Sequence, residues 1–153
     1  MSVSAIPEGY HSVTPYLIVS SGVDAIAFYE KAFGASELLR LEIPGGGIAH
    51  AEVKIGNSPV MLADENPEMG ALCPTTLGGA GASLCVYVED CDALFAQAVA
   101  AGAQELSPVQ DQFYGDRSGT VKDPFGHVWT LASHVEDLDQ DEIQRRMMAQ
   151  FGA

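Results

Sequence analysis

The chain has 153 residues, 47% of them apolar, which is the size of one domain with a real core. Its net charge of -14, from seven basic against 21 acidic residues, argues against nucleic-acid binding, because phosphate contacts need clustered Lys and Arg. No run approaches the roughly 18 apolar residues of a membrane span, and residues 1–8 lack the basic and apolar regions of a secretory signal.

In chain order, residues 1–10 read as a loose arm. Residues 11–19 predict a strand, with Pro15 placing it near an edge or bulge. Ser20 or Ser21 can cap the next helix. Val23, Ile26, Ala27 and Phe33 then follow helical spacing, and Gly34 supplies the left-handed stop. Residues 37–43, 48–55 and 60–64 predict three strands, separated by turns at Pro44-Gly45-Gly46-Gly47 and Gly56-Asn57-Ser58-Pro59. Residues 66–81, rich in Pro, Gly and Thr, read as a linker. The order then repeats: a strand over 83–88, a helix capped by Asp90 and stopped at Gly102, and strands over 104–109, 119–122 and 127–133. A last helix over about 139–151 places Ile143, Met147 and Phe151 on one side, packed on the domain or on a partner subunit.

The repetition is visible in the letters. Asp24-Ala25 returns as Asp92-Ala93, and Ala32, Gly34 and Ala35 return as Ala100, Gly102 and Ala103, 68 residues later. The expected fold is therefore α+β, with two βαβββ modules in tandem, each a mixed sheet, which the family resemblance given below implies is cupped. The expected boundaries are about 11–65, a linker over 66–81, a second module over 82–134 and the C-terminal helix. A doubled unit builds sites where its halves face each other.

Two tandem βαβββ modules resemble the vicinal oxygen chelate superfamily of glyoxalases, extradiol dioxygenases, fosfomycin-modifying enzymes and bleomycin-binding proteins. The residues that carry the resemblance are Ala25-Ile26-Ala27-Phe28-Tyr29-Glu30-Lys31-Ala32-Phe33-Gly34-Ala35, Val88-Glu89-Asp90, and Asp123-Pro124-Phe125-Gly126-His127-Val128-Trp129. Ile48-Ala49-His50-Ala51-Glu52-Val53, Val60-Met61-Leu62-Ala63-Asp64 and Gln112-Phe113-Tyr114-Gly115-Asp116-Arg117 look like its PhnB-like branch. The resemblance implies one pocket from paired half-cups, often with a second chain alongside. It also implies a divalent metal held by His or Gln early in each first strand and Glu late in each last strand. Those positions fall on Thr14, Ser83, Met61 and Thr130, none a good ligand for such an ion. The expectation is a protein with no cofactor and no metal.

Strand alternation sorts the cup lining. Ala49, Ala51, Val53 and Ile55 should face the helices, leaving His50 and Glu52 to face the cup. Imidazole exchanges protons near neutral pH, so His50 is the candidate catalytic group, and Glu52 can orient it. A structural histidine bonded to a neighbouring strand is the competing reading. Thr14, Tyr16, Cys85, Tyr87 and Thr130 should line the cup, with Tyr114 and Arg117 near its rim, where an Asp116–Arg117 contact is the alternative to ligand binding. Trp129 is expected in the core, and His11, His127 and His134 at strand ends or on the surface. Cys73, Cys85 and Cys91 read as buried free thiols of a cytoplasmic protein. Gly45-Gly46-Gly47 lacks the strand-to-helix context of a phosphate loop.

The expected function is binding of a small organic molecule in the cup, in the manner of bleomycin-binding proteins. The partners are that ligand and a second copy in a homodimer, with no nucleic acid and no membrane. The charge would draw cationic ligands. The alternative is a lyase or isomerase, with a displaced divalent metal or with His50 as general base.

Overall fold

Capping chemistry sets both halves in place. The computed structural model describes residues 2–152. Strand β1 (Tyr16–Val19) leads to α1 (Gly22–Phe33), where the Ser21 side chain accepts from the Asp24 N–H. Gly34, at φ 66°, ends the helix in the left-handed region that a Cβ would disfavour. Strands β2 (Ser36–Glu42), β3 (Ile48–Ile55) and β4 (Ser58–Asp64) complete the module. The segment after it is not structureless: a 3-10 turn (Pro67–Met69) and a short helix α2 (Pro74–Leu77) each begin on a proline, whose fixed φ suits a first helical turn.

The second module repeats the plan with β5 (Ser83–Tyr87), α3 (Cys91–Ala101), β6 (Gln104–Asp111), β7 (Asp116–Lys122) and β8 (Val128–His134). Helix α4 (Gln140–Phe151) follows, capped by Asp139. The sheets have orders β1-β4-β3-β2 and β5-β8-β7-β6, the same topology twice. In each, the first strand runs parallel to the fourth and the other pairs are antiparallel. The first predicted strand is shorter than expected: residues 11–15 lie outside β1, although the Pro15 carbonyl still accepts from the Met61 N–H.

Helices α1 and α3 each cover one face of a sheet, and this face is the core. Leu17, Val19, Val53 and Leu62 of module one join Val121, Trp129 and Leu131 of module two in a single cluster. Trp129 lies 5.5 Å from Tyr29 and 4.7 Å from Phe33 between ring centroids, so it packs as expected. Helix α1 lies against α3, and the Gln97 amide donates to the carbonyls of Lys31 and Ala32 at 2.9 and 3.2 Å. His127 stands at the strand end before β8, one of its two expected places, and is buried there: its Nε2 lies 2.9 Å from the Ile18 carbonyl, joining module two to β1. Gly22 has no room for a side chain, since a Cβ there would sit 2.6 Å from that of Ile48. The opposite face of each sheet, here the cup face, carries the chemistry.

Candidate functional site

Ladder register places the cup face of module one residue by residue. Tyr16 pairs with Met61, Met61 with Glu52, and Glu52 with Leu39; Ile18 pairs with Ala63, and His50 with Leu41. Paired residues share a face, so Tyr16, Ile18, Leu39, Leu41, His50, Glu52 and Met61 look out from the same side. Ala51, Val53 and Ile55 turn into the core as the alternation predicts, but Ala49 is exposed and Ile48 is buried in its place. The bulge between Leu41 and Glu42 breaks the alternation there.

On this face four side chains form one hydrogen-bonded chain. The Tyr16 hydroxyl lies 2.8 Å from Nδ1 of His50, and Nε2 of His50 lies 2.9 Å from Oε1 of Glu52. Oε2 of Glu52 accepts from the Tyr10 hydroxyl. A carboxylate only accepts, so Nε2 donates to Glu52, and in that tautomer Nδ1 accepts from the Tyr16 hydroxyl. Both ring nitrogens of His50 are thereby engaged. Tyr10 was invisible in the sequence, because an irregular arm has no periodicity and its partner lies 42 positions away. The arm is loose in form, yet its end is fastened to Glu52.

Module two carries a second chain. Ser83, Cys85 and Tyr87 face outward, and Cys85 pairs with Thr130, itself paired with Thr120. Cys85 is exposed, whereas Cys73 and Cys91 are buried, so the expectation of buried thiols fails at Cys85. The Tyr87 hydroxyl donates 2.7 Å to Oδ2 of Asp116, whose Oδ1 lies 2.9 Å from Nδ1 of His134. Nε2 of His134 reaches Asp137 at 2.7 Å. The Asp116 hydrogen bond pushes Tyr87 up to about 12. Burial, then Asp116, raises the Cys85 thiol. Asp116 first and Asp137 second hold His134 above the usual histidine range. The strand predicted from Gly119 starts three residues late, short of the alternation that aligns Asp116 with Ser118 and Thr120. Tyr114 sits in the turn before β7, edge-on to Phe113 at 5.2 Å.

Between the modules lies a cavity of about 430 Å³. Module one supplies His11, Val13, Thr14, Pro15 and residues 55–60; module two supplies residues 84–87 and Trp129. The cavity thus brings together Thr14, Cys85 and Tyr87. Tyr16, His50, Glu52, Tyr114 and Thr130 lie outside its wall. Arg117 does not reach the cup at all. Its neighbours Asp116 and Ser118 face the cup, so alternation turns Arg117 toward α3. There it makes paired bonds to Asp92 at 2.7 and 2.9 Å and a third to Asp111 at 3.1 Å. The expected Asp116 contact is replaced by these two carboxylates.

The four implied metal positions supply two threonine hydroxyls, a serine and a thioether, at Thr14, Thr130, Ser83 and Met61. This donor set does not fit a divalent ion of the borderline class. Among the described residues, no group of three or more His, Cys, Asp or Glu is arranged to hold a metal.

The model of the Glyoxalase/Bleomycin resistance protein/Dioxygenase superfamily matches residues 10–131. The uncharacterized protein Mb0911c of Mycobacterium bovis is 42% identical over 142 residues, spanning 91% of this chain and 93% of its own. Among solved structures, TioX from Micromonospora sp. ML1 matches with a TM-score of 0.64 at 26% identity, over 84% of this chain and all (100%) of that one. A PhnB protein from Bacillus cereus matches with a TM-score of 0.62 at 19% identity, over 80% of this chain and 99% of that one, a likeness of fold.

Proposed function

The chain belongs to the glyoxalase/bleomycin resistance protein/dioxygenase superfamily, and from that premise we propose that it binds a small organic molecule between its two modules, without the family's metal ion. The observation that carries this reading is the inter-module cavity. At about 430 Å³ it is within the range of small-molecule sites. Val13, Pro15, Leu84 and Trp129 offer apolar walls, and Thr14, Cys85 and Tyr87 offer a few orienting polar groups. The charge of -14 favours neutral or cationic ligands over anions.

The test is a thermal-shift screen of aromatic and cationic small molecules, with calorimetry on the hits. Leu84→Trp fills the cavity and should abolish binding while the protein stays folded. Undiminished binding by that variant would place the ligand elsewhere. Elemental analysis of protein purified without added metal should find no stoichiometric Zn, Ni, Fe or Mn.

The same reading includes a homodimer and a cytoplasmic location. No helix among the described residues is long and apolar enough to cross a membrane. Edge strand β2 exposes Leu38, Leu39 and Leu41, apolar surface that supports a second copy packing alongside.

A second reading, a lyase or isomerase, is favoured by one contact: Glu52 orients the His50 ring at 2.9 Å, as a general base requires.

A further inference from the structure

We propose that the group meeting a substrate on the module-one cup face is the Tyr16 hydroxyl, driven through His50 by Glu52, and that it moves a proton on neutral 1,3-dicarbonyl compounds. This rests on the isomerase reading above and changes its reacting atom. His50 has no free nitrogen: Nδ1 faces Tyr16 at 2.8 Å and Nε2 faces Glu52 at 2.9 Å. A proton can reach the imidazole only through the phenol. Tyr16 is 49% exposed, so its ring stands open to the cup, whereas the His50 and Glu52 side chains are 23% and 12% exposed. The order from solvent inward is phenol, imidazole, carboxylate. Tyr10 holds the second carboxylate oxygen, which leaves Glu52 one orientation.

The substrate class follows from the relay and its surroundings. The relay ends on an imidazole, a weak base suited to work near neutral pH. Such a base reaches only an activated carbon acid; the central C–H of a 1,3-dicarbonyl compound is one, and the C–H beside a simple ketone is far weaker. Ile18 and Met61 share the face with Tyr16, so the surface suits an apolar body. The charge of -14 repels anionic keto acids.

The step balances without a metal or oxidant. The central C–H bond breaks, and its proton joins the Tyr16 oxygen as the tyrosine's own proton passes to Nδ1 of His50. The C–H electron pair becomes the enolate C=C bond, and a carbonyl π pair moves onto oxygen. Glu52 stabilises the imidazolium. Return of the proton through Tyr16 to the enolate oxygen gives the enol.

The experiment follows ketone–enol relaxation of benzoylacetone by its ultraviolet enol band, beside calorimetric binding of the same compound. Wild type should relax it at least tenfold faster than buffer. Tyr16→Phe should fall to the buffer rate with unchanged melting, since the residue is half exposed. Glu52→Gln should lower kcat at least tenfold and leave KM in place, which a merely structural role would not do. Acetophenone should show no catalysed deuterium exchange. A rate enhancement that survives Tyr16→Phe overturns the proposal. Binding without enhancement overturns it too and leaves the cavity-binding reading standing. Absence of both overturns it whatever the cavity binds.

Discussion

The hydroxyl of Tyr29 in α1 donates 2.7 Å to Oδ2 of Asp123, 94 residues later in the turn before β8. Asp123 is only 4% exposed, and it also accepts from Trp129 Nε1 and from the N–H groups of Phe125 and His127, each at 2.9 Å. One carboxylate thus shapes the turn of module two and fastens it to the helix of module one. Burial, then Asp123, holds Tyr29 well above the usual phenol range, so it stays a donor.

Asp123→Ala should therefore be severe. It leaves four buried donors without their acceptor, and the expected loss is about 3 to 5 kcal/mol in urea denaturation. Tyr29→Phe removes one bond of the set and should cost about 1 to 2 kcal/mol. A nearly neutral Asp123→Ala would show that this carboxylate does not fasten the modules.

Arg117 separates a structural cation from a ligand-binding one. Its two bonds to Asp92 and one to Asp111 hold that guanidinium further above its ordinary range and hold the Asp92 carboxyl below its own. Arg117→Gln should lower the melting temperature modestly and leave calorimetric affinities for any cavity ligand unchanged. The melting difference should shrink in high salt, because the pair is exposed. A tenfold loss of affinity at equal stability would return Arg117 to the site.

His134 predicts a pH dependence. The folded state holds its proton more tightly than the unfolded chain does, because Asp116 and Asp137 flank it. This contribution is complete below the unfolded value of about 6.5 and fades as pH rises through the higher folded value. Melting temperature should thus decline across that interval in wild type, and the decline should be smaller in His134→Gln. Equal pH profiles for the two proteins would count against the contact. Tyr87, pushed up to about 12, should add a late component to a spectrophotometric tyrosine titration that Tyr87→Phe removes.

Much of the fold was legible because its signals are local. Ser21 and Asp90 begin helices α1 and α3 and Gly34 and Gly102 end them, as side-chain capping and backbone handedness require. Alternation alone separates His50 and Glu52 from Ala51 and Val53, with no reference to their partners. The same rule breaks at Ile48, where a bulge shifts the register, and the Pro, Gly and Thr composition of 66–81 hides two proline-started turns. Strand ends moved by a few residues, which hid Asp116 by starting its strand late.

The sequence by itself determined the doubled α+β architecture, the outward facing of His50 and Glu52 and the poor donor set at Thr14, Met61, Ser83 and Thr130. Each depends on spacing within a few residues or on side-chain chemistry alone. Only the tertiary structure decided that Tyr16 and Glu52 occupy both nitrogens of His50, that Tyr10 closes that chain and that Arg117 turns to Asp92. These partners lie from 2 to 42 positions apart, and strand register and the path of the arm, rather than periodicity, bring their atoms within bonding distance.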